Sequence, residues 1–216
     1  MNNNFYILIL AAGLLTSACS PSRNSDTENE MKEDSQDSNG SIAESASAID
    51  NSLKFDQEIT LQGITFTVSA NNQKPINSVR LATSGLQSDG EPQTIEIAGV
   101  LLKAEAEDMN SDGSPEVILF FNSYDSIPEE FAIGFSVNNL LSMSRVTIPP
   151  LTPEQEQGYQ GGGDMAIVET KLVRRFPIYE KEGTQWVKTN KMRQMQYSLK
   201  EGEAMRQFVL DKTIEY

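Results

Sequence analysis

Histidine is absent from all 216 residues, and cysteine and tryptophan occur once each. Without imidazole there is no Ser-His-Asp or Cys-His nucleophile pair and no zinc site built on histidine ligands. A single cysteine has no disulfide partner within the chain. Positive charge is also scarce: 17 Lys and Arg stand against 31 Asp and Glu, a net charge of −14. Such a surface repels nucleic acid and anionic headgroups and attracts cationic partners. Long apolar runs are missing as well, apart from residues 5–15, FYILILAAGLL. A bilayer-spanning helix needs about 20 apolar residues, so this run is too short to cross.

What is present begins with that run. It reads as the core of an export signal, followed directly by Thr16-Ser17-Ala18-Cys19, the small residues before a cysteine that form a lipobox. An exposed lone thiol is a liability in an oxidising compartment, and acylation removes it. The expectation is a signal peptide over residues 1–18 and lipidation, palmitate included, at Cys19. The protein would then be anchored in the bacterial envelope, at the periplasmic or outer membrane. Several acyl chains on one residue hold firmly, because each buried methylene adds about 0.8 kcal/mol. Residues 20–52 hold 8 acids, 2 bases and almost no large apolar side chain. They cannot bury enough to offset chain entropy, so residues 19–52 are expected to be a charged spacer.

From Leu53 the pattern changes to period two. Ile64, Phe66 and Val68 alternate with threonines, as do Ile95 and Ile97 with Thr94 and Glu96. Val100 and Leu102 continue beyond Ala98-Gly99, where a bulge or bend is expected. Glu116–Phe121 (EVILFF) is apolar in succession, which suits a strand covered on both faces. Phe131 to Val137 alternates again, then Val146 and Ile148. The runs 166–173, 195–199 and 208–210 also read as strands. One short helix is expected where Thr152, Pro153 and Gln155 form a capping box closed by Gly158. These elements predict an all-β domain with minor α content over residues 53–216, an antiparallel sandwich or barrel. With 15 basic and 23 acidic residues, that domain is acidic in its own right.

Four stretches carry chemistry worth weighing. Asp108, Asn110, Asp112 and Glu116 place oxygen side chains at positions 1, 3, 5 and 9 of a loop with Gly113 at position 6, a spacing that suits calcium. Leu119 stands where an EF-hand needs its last glutamate, and the competing reading is a tight Asx turn. Gly161-Gly162-Gly163-Asp164 lacks the Lys and Ser/Thr of a phosphate loop and reads as a connection. Arg174 and Arg175, consecutive in a strand, face opposite sides, and whichever points inward must pair with an acid. Asp125, Glu129 and Glu130 could be imagined as the paired carboxylates of a glycosidase, although adjacent exposed acids are usually just solvated.

From Gly158 to Gly183 the chain reads GYQGGGDMAIVETKLVRRFPIYEKEG, and from Met192 to Ala204 MRQMQYSLKEGEA. With LQGITFTV (61–68) and AEAEDMNSDGSPEVILFF (104–121) upstream in the same order, this series resembles the periplasmic inhibitors of invertebrate-type lysozyme. The resemblance covers nearly all of residues 53–216. It implies a β-rich exported protein without enzymatic activity, which blocks lysozyme by inserting a loop with a Ser-Gly-x-Tyr motif into the catalytic cleft. In this chain the corresponding loop is Asn122 to Glu130, NSYDSIPEE, without that spacing. The contact residues the resemblance leaves are Ser123, Tyr124 and Ser126, and the implied partner is a lysozyme or another cationic glycan hydrolase. The alternative is an interaction or carbohydrate-binding lipoprotein on the same scaffold, with inhibition lost.

Overall fold

Twelve strands follow one another with no helix among the described residues, which in the computed structural model are 54–88 and 90–216. The signal segment, Cys19 and the spacer lie outside them. β1 (Phe55–Leu61), β2 (Ile64–Ala70), β3 (Asn77–Ser84) and β4 (Gln93–Ile97) form one antiparallel sheet in chain order. β5 (Gly99–Glu107), β6 (Glu116–Ser123), β7 (Glu130–Asn138) and β8 (Ser142–Val146) form a second. β9 (Asp164–Val168), β10 (Lys171–Glu182), β11 (Gln185–Lys200) and β12 (Gln207–Glu215) form the third. Each sheet is therefore a meander in which chain neighbours are sheet neighbours, the simplest antiparallel connection. The β1–β2 turn shows why it closes: Gln62 and Gly63 both take positive φ, 51° and 79°, the twist that a two-residue hairpin requires.

The side-chain pattern sorts the three sheets into layers. Ile64, Phe66, Val68, Val79 and Leu81 of the first sheet pack with Val117, Leu119, Phe121, Ile133, Phe135 and Val137 of the second. On its opposite face the second sheet contributes Ile118, Phe120 and Val146 to a separate core with Met165, Leu172, Phe176, Met195, Tyr197 and Phe208 of the third. β6 thus sends alternate side chains into two cores. Its unbroken apolar run is that of a middle-layer strand, as the sequence predicts.

Two glycines make room for close packing within the second sheet. Ala98 is the bend between β4 and β5, and there the chain leaves the first sheet for the second. A Cβ on Gly99 would lie 2.7 Å from the Asn122 carbonyl oxygen, so only glycine lets β5 start so close to β6. On β7, Ala132, Gly134 and Ser136 form a small-residue row toward the third sheet, in register with Phe120, Ile118 and Glu116. A Cβ on Gly134 would meet Val146 Cγ2 at 2.5 Å and Ile118 Cδ1 at 2.8 Å.

Two expectations need correction. The capping box at Thr152 does close, since the Thr152 N–H donates to Gln155 Oε1 at 2.9 Å and the Gln155 N–H to Thr152 Oγ1 at 3.4 Å. No helix grows from it. Only the Glu156 N–H reaches an i−4 carbonyl, that of Thr152, before Gly158 turns the backbone to a φ of 79°. One turn fixes several dihedrals for one such bond, and nothing here extends it. Residues 166–173 are likewise not one strand. The chain folds back at Glu169-Thr170, with Glu169 at a φ of 55°, so that Lys171 pairs with Val168.

Candidate functional site

The loops at one end of the second and third sheets come together around Arg174. In β10 this residue shares parity with Leu172 and Phe176, so it points into the inter-sheet core, while Arg175 points out. The side chains are 13% and 45% exposed respectively. An inward guanidinium must find an acid. It does: Arg174 Nη2 donates to Glu129 Oε1 at 2.5 Å, and to the Tyr159 hydroxyl at 3.3 Å. The guanidinium also lies 5.3 Å from the Tyr159 ring centre and 5.9 Å from that of Phe176, and the two rings pack at 4.7 Å. Tyr159 in turn donates to the Gly162 carbonyl at 3.2 Å. Burial raises its phenol pKa above the ordinary value, an effect that Arg174 opposes. Arg175 instead pairs with Asp164 at 2.6 Å in the open.

This cluster holds up the β6–β7 loop. The Ser123 N–H donates to the Glu129 carbonyl at 2.9 Å, and the Glu129 N–H to Ser123 Oγ at 3.1 Å, so the base of the loop is closed. Its other shoulder is Tyr124, whose hydroxyl donates to the carbonyls of Asn72 and Gln73 at 3.3 and 3.2 Å, with the Lys74 ammonium 5.0 Å from the ring. The Asn72 loop is itself fixed, because the buried side chains of Asn72 and Asn77 bond to each other and to the backbone of Leu101 and Gly99. Between these shoulders Asp125, Ser126, Ile127 and Pro128 are exposed. Ile127 is 59% exposed, yet it packs against Gly161, where a Cβ would come within 2.7 Å of Ile127 Cγ2. Gly161 is thus packed against the loop tip and Gly163 against Arg175 and Phe176, while Gly162 between them has open space.

The expected contact residues are therefore divided. Ser123 and Tyr124 bond within the chain, Ser123 at the loop base and Tyr124 on the neighbouring loop. Of the three, Ser126 alone is presented outward, between Asp125 and Ile127. The three carboxylates weighed as a catalytic pair also separate. Asp125 is exposed, Glu129 is tied to Arg174, and Glu130 is buried with Oε1 lacking a hydrogen-bond partner. Burial raises the Glu130 pKa above the ordinary carboxyl value.

At the other end of the middle sheet the 108–116 loop is an Asx-turn structure. Asp108 accepts the N–H groups of Asp112 and Gly113 at 3.0 and 2.9 Å and the Gln62 amide at 2.8 Å. Asp112 accepts the Ser114 N–H at 2.9 Å, the Asn110 amide at 3.0 Å and Arg206 Nη2 at 2.6 Å. Glu116, fully buried, accepts the Met109 N–H at 2.8 Å and the Ser136 hydroxyl at 2.7 Å. Burial raises its pKa to about 7, against the opposing pull of Ser136, Met109 and Arg206. The cation that meets Asp112 and Glu116 is the guanidinium of Arg206. Among the described residues no group of three or more His, Cys, Asp or Glu is placed to hold a metal ion.

Residues that sequence reasoning passed over include Arg206, Arg193 and Trp186. Arg193 Nη1 donates to the carbonyls of Gln155 and Gln157 at 2.7 and 2.9 Å, and its Nη2 pairs with Glu215 at 2.6 Å. An isolated basic residue in an alternating strand carries no signal of which carbonyls it will meet. No family model matches the chain, and comparisons with curated proteins and with solved structures find no match.

Proposed function

We propose that this protein is a lipid-anchored envelope protein, acting by binding and not by catalysis, that captures a cationic partner on the β6–β7 loop tip. A lysozyme is the first partner to test. The observation that carries this reading is the loop's support: Glu129 held by Arg174 on one side, Tyr124 held by the Asn72 loop on the other, and four exposed residues between. A tip whose flanks are fixed loses little conformational entropy when a partner closes over it. Ile127 offers apolar area at its centre. The acid excess of the chain steers cationic proteins toward it, and more weakly as salt rises. The lysozyme assignment itself rests on the sequence strings between Leu61 and Ala204.

The loop recognises its partner differently from hydroxyl insertion into a catalytic cleft. Ser123 and Tyr124 are engaged internally, and Asp125 would face the carboxylates that lysozymes use. Contact with a basic rim outside the cleft suits the tip better, which favours capture over active-site plugging. The test is a binding panel of invertebrate, chicken and goose-type lysozymes against the immobilised protein, run beside an activity assay. Binding tighter than about 10 μM to at least one of them, weakening with salt, supports the reading. No binding to any of the three removes the lysozyme reading.

A further inference from the structure

The chain's single tryptophan is half-exposed near the turn of a long hairpin. Trp186 is the second residue of β11, in the part of the β10–β11 hairpin that reaches past the core, and it is 48% exposed. Two depressions, of about 440 and 500 Å³, meet at Trp186, Gln157 and Gly158. Glu180, Lys181 and Lys191 line the first, and Glu154, Glu156 and Gln160 the second. The wall opposite the indole is rigid. Arg193 holds the carbonyls of Gln155 and Gln157, and the Tyr179 N–H donates to the Gly158 carbonyl at 2.8 Å.

The chemistry of this groove narrows its occupant. Val187, the adjacent exposed apolar residue, points to the opposite face of the hairpin, so of the two only Trp186 faces the groove, where Ile178, Tyr179 and Pro153 share the lining with polar groups. A protein hot spot gathers several large apolar anchors in one patch, whereas Trp186 is the one exposed large hydrophobic side chain among the lining residues. A pyranose ring needs what is here: one flat aromatic surface for its axial C–H face, with amide, carboxylate and ammonium groups around it for its hydroxyls. Charge selects further. Glu180 is paired with Lys191 and Glu215 with Arg193, whereas Lys181 forms no ion pair among the described residues. Lys181 is also directly opposite Trp186 in the hairpin register. On so acidic a chain, an unpaired ammonium beside the stacking surface favours a ligand with a carboxylate.

We propose that Trp186, Lys181 and the turn at Gln157-Gly158 form a binding site for an oligosaccharide bearing a carboxylate. One pyranose stacks on the indole and its acid pairs with Lys181. The site is separate from the loop tip and does not depend on any lysozyme.

Intrinsic fluorescence tests this cleanly, since Trp186 is the only indole in the chain. The full-length protein is titrated with galacturonic acid trimer, with the disaccharide of N-acetylglucosamine and N-acetylmuramic acid, and with neutral N-acetylglucosamine trimer and maltotriose. The expected result is a saturable emission change with at least one acidic saccharide, about tenfold tighter than with either neutral one. Which acidic probe binds tighter identifies the source, a uronate polymer or an amino-sugar glycan. By calorimetry, Trp186→Ala should abolish binding at unchanged melting temperature, and Lys181→Gln should reduce the acidic preference about tenfold. No saturable change with either acidic probe at concentrations of about 5 mM, or undiminished binding by Trp186→Ala, overturns the site. Equal affinity for acidic and neutral saccharides overturns the role given to Lys181.

Discussion

Arg174 on β10 and Glu129 in the β6–β7 loop meet at 2.5 Å although 45 positions separate them in the chain. The pair joins the third sheet to a loop of the middle one. Because the arginine is 13% exposed, removing it leaves a cavity beside Tyr159 and releases Glu129 to solvent. Arg174→Ala should therefore cost about 2–3 kcal/mol in urea denaturation. Arg175→Ala, which breaks only an exposed pair with Asp164, should stay within about 0.5 kcal/mol of wild type. Equal effects at the two positions would contradict the inward and outward assignment.

Gly134 tests the side-chain packing on the face of the middle sheet. An added methyl group would lie 2.5 Å from Val146 Cγ2, in the contact between the middle and third sheets. Gly134→Ala should lower stability by about 1–3 kcal/mol through overpacking, despite alanine's better fit to ordinary backbone. A stabilised variant would mean that Val146 and Ile118 pack more loosely around Gly134 than described.

Glu116 predicts a pH dependence. Burial lifts its folded-state pKa from 4.5 to about 7, so between those values the folded chain binds more proton than the unfolded one. Its contribution is fully present below about 4.5 and is lost as pH rises through about 7. Glu130, also raised by burial, adds in the same direction. Chemical denaturation of wild type and Glu116→Gln at pH 5 and pH 8 checks the sign. Wild type should lose more stability than the variant over that interval, since glutamine does not titrate.

What the sequence disclosed follows the range of each physical signal. Alternation at Ile64, Phe66 and Val68 and the unbroken run at Glu116–Phe121 report burial directly, so strand and layer were legible. The capping box at Thr152 was also read correctly as a local motif. It stops after one turn because helix growth needs neighbours that the motif does not contain. Glu169-Thr170 is hard to read as a turn because it holds none of the glycine, proline or asparagine that usually mark one, even though the polar Glu169-Thr170-Lys171 interrupts the apolar residues. The partners of Arg174, Arg193 and Arg206 lie 38 or more positions away in most cases, where no periodicity reaches. The division of the loop followed the same rule: Tyr124 is held by carbonyls about 50 residues distant.

Tyr124→Phe separates the internal role of that hydroxyl from a contact role. Loss of its bond to the Asn72 and Gln73 carbonyls should cost about 0.5–1.5 kcal/mol in thermal or urea denaturation. Affinity for any partner should fall only modestly, by about two- to fivefold, because one flank of the tip loosens while the ring and its contacts remain. A large fall in affinity at unaltered stability would return Tyr124 to the contact surface.

The loop tip as a docking point is tested most directly by Ile127→Ala. Its side chain is the exposed apolar centre of the tip, and the substitution leaves the net charge untouched. Once a lysozyme or other basic partner is found to bind, titration of that partner against wild type and variant by calorimetry is the decisive measurement. The account predicts an affinity lower by about tenfold or more, at melting temperatures that differ little. Identical affinities for the two proteins would contradict it, and would place the partner on another face of the molecule.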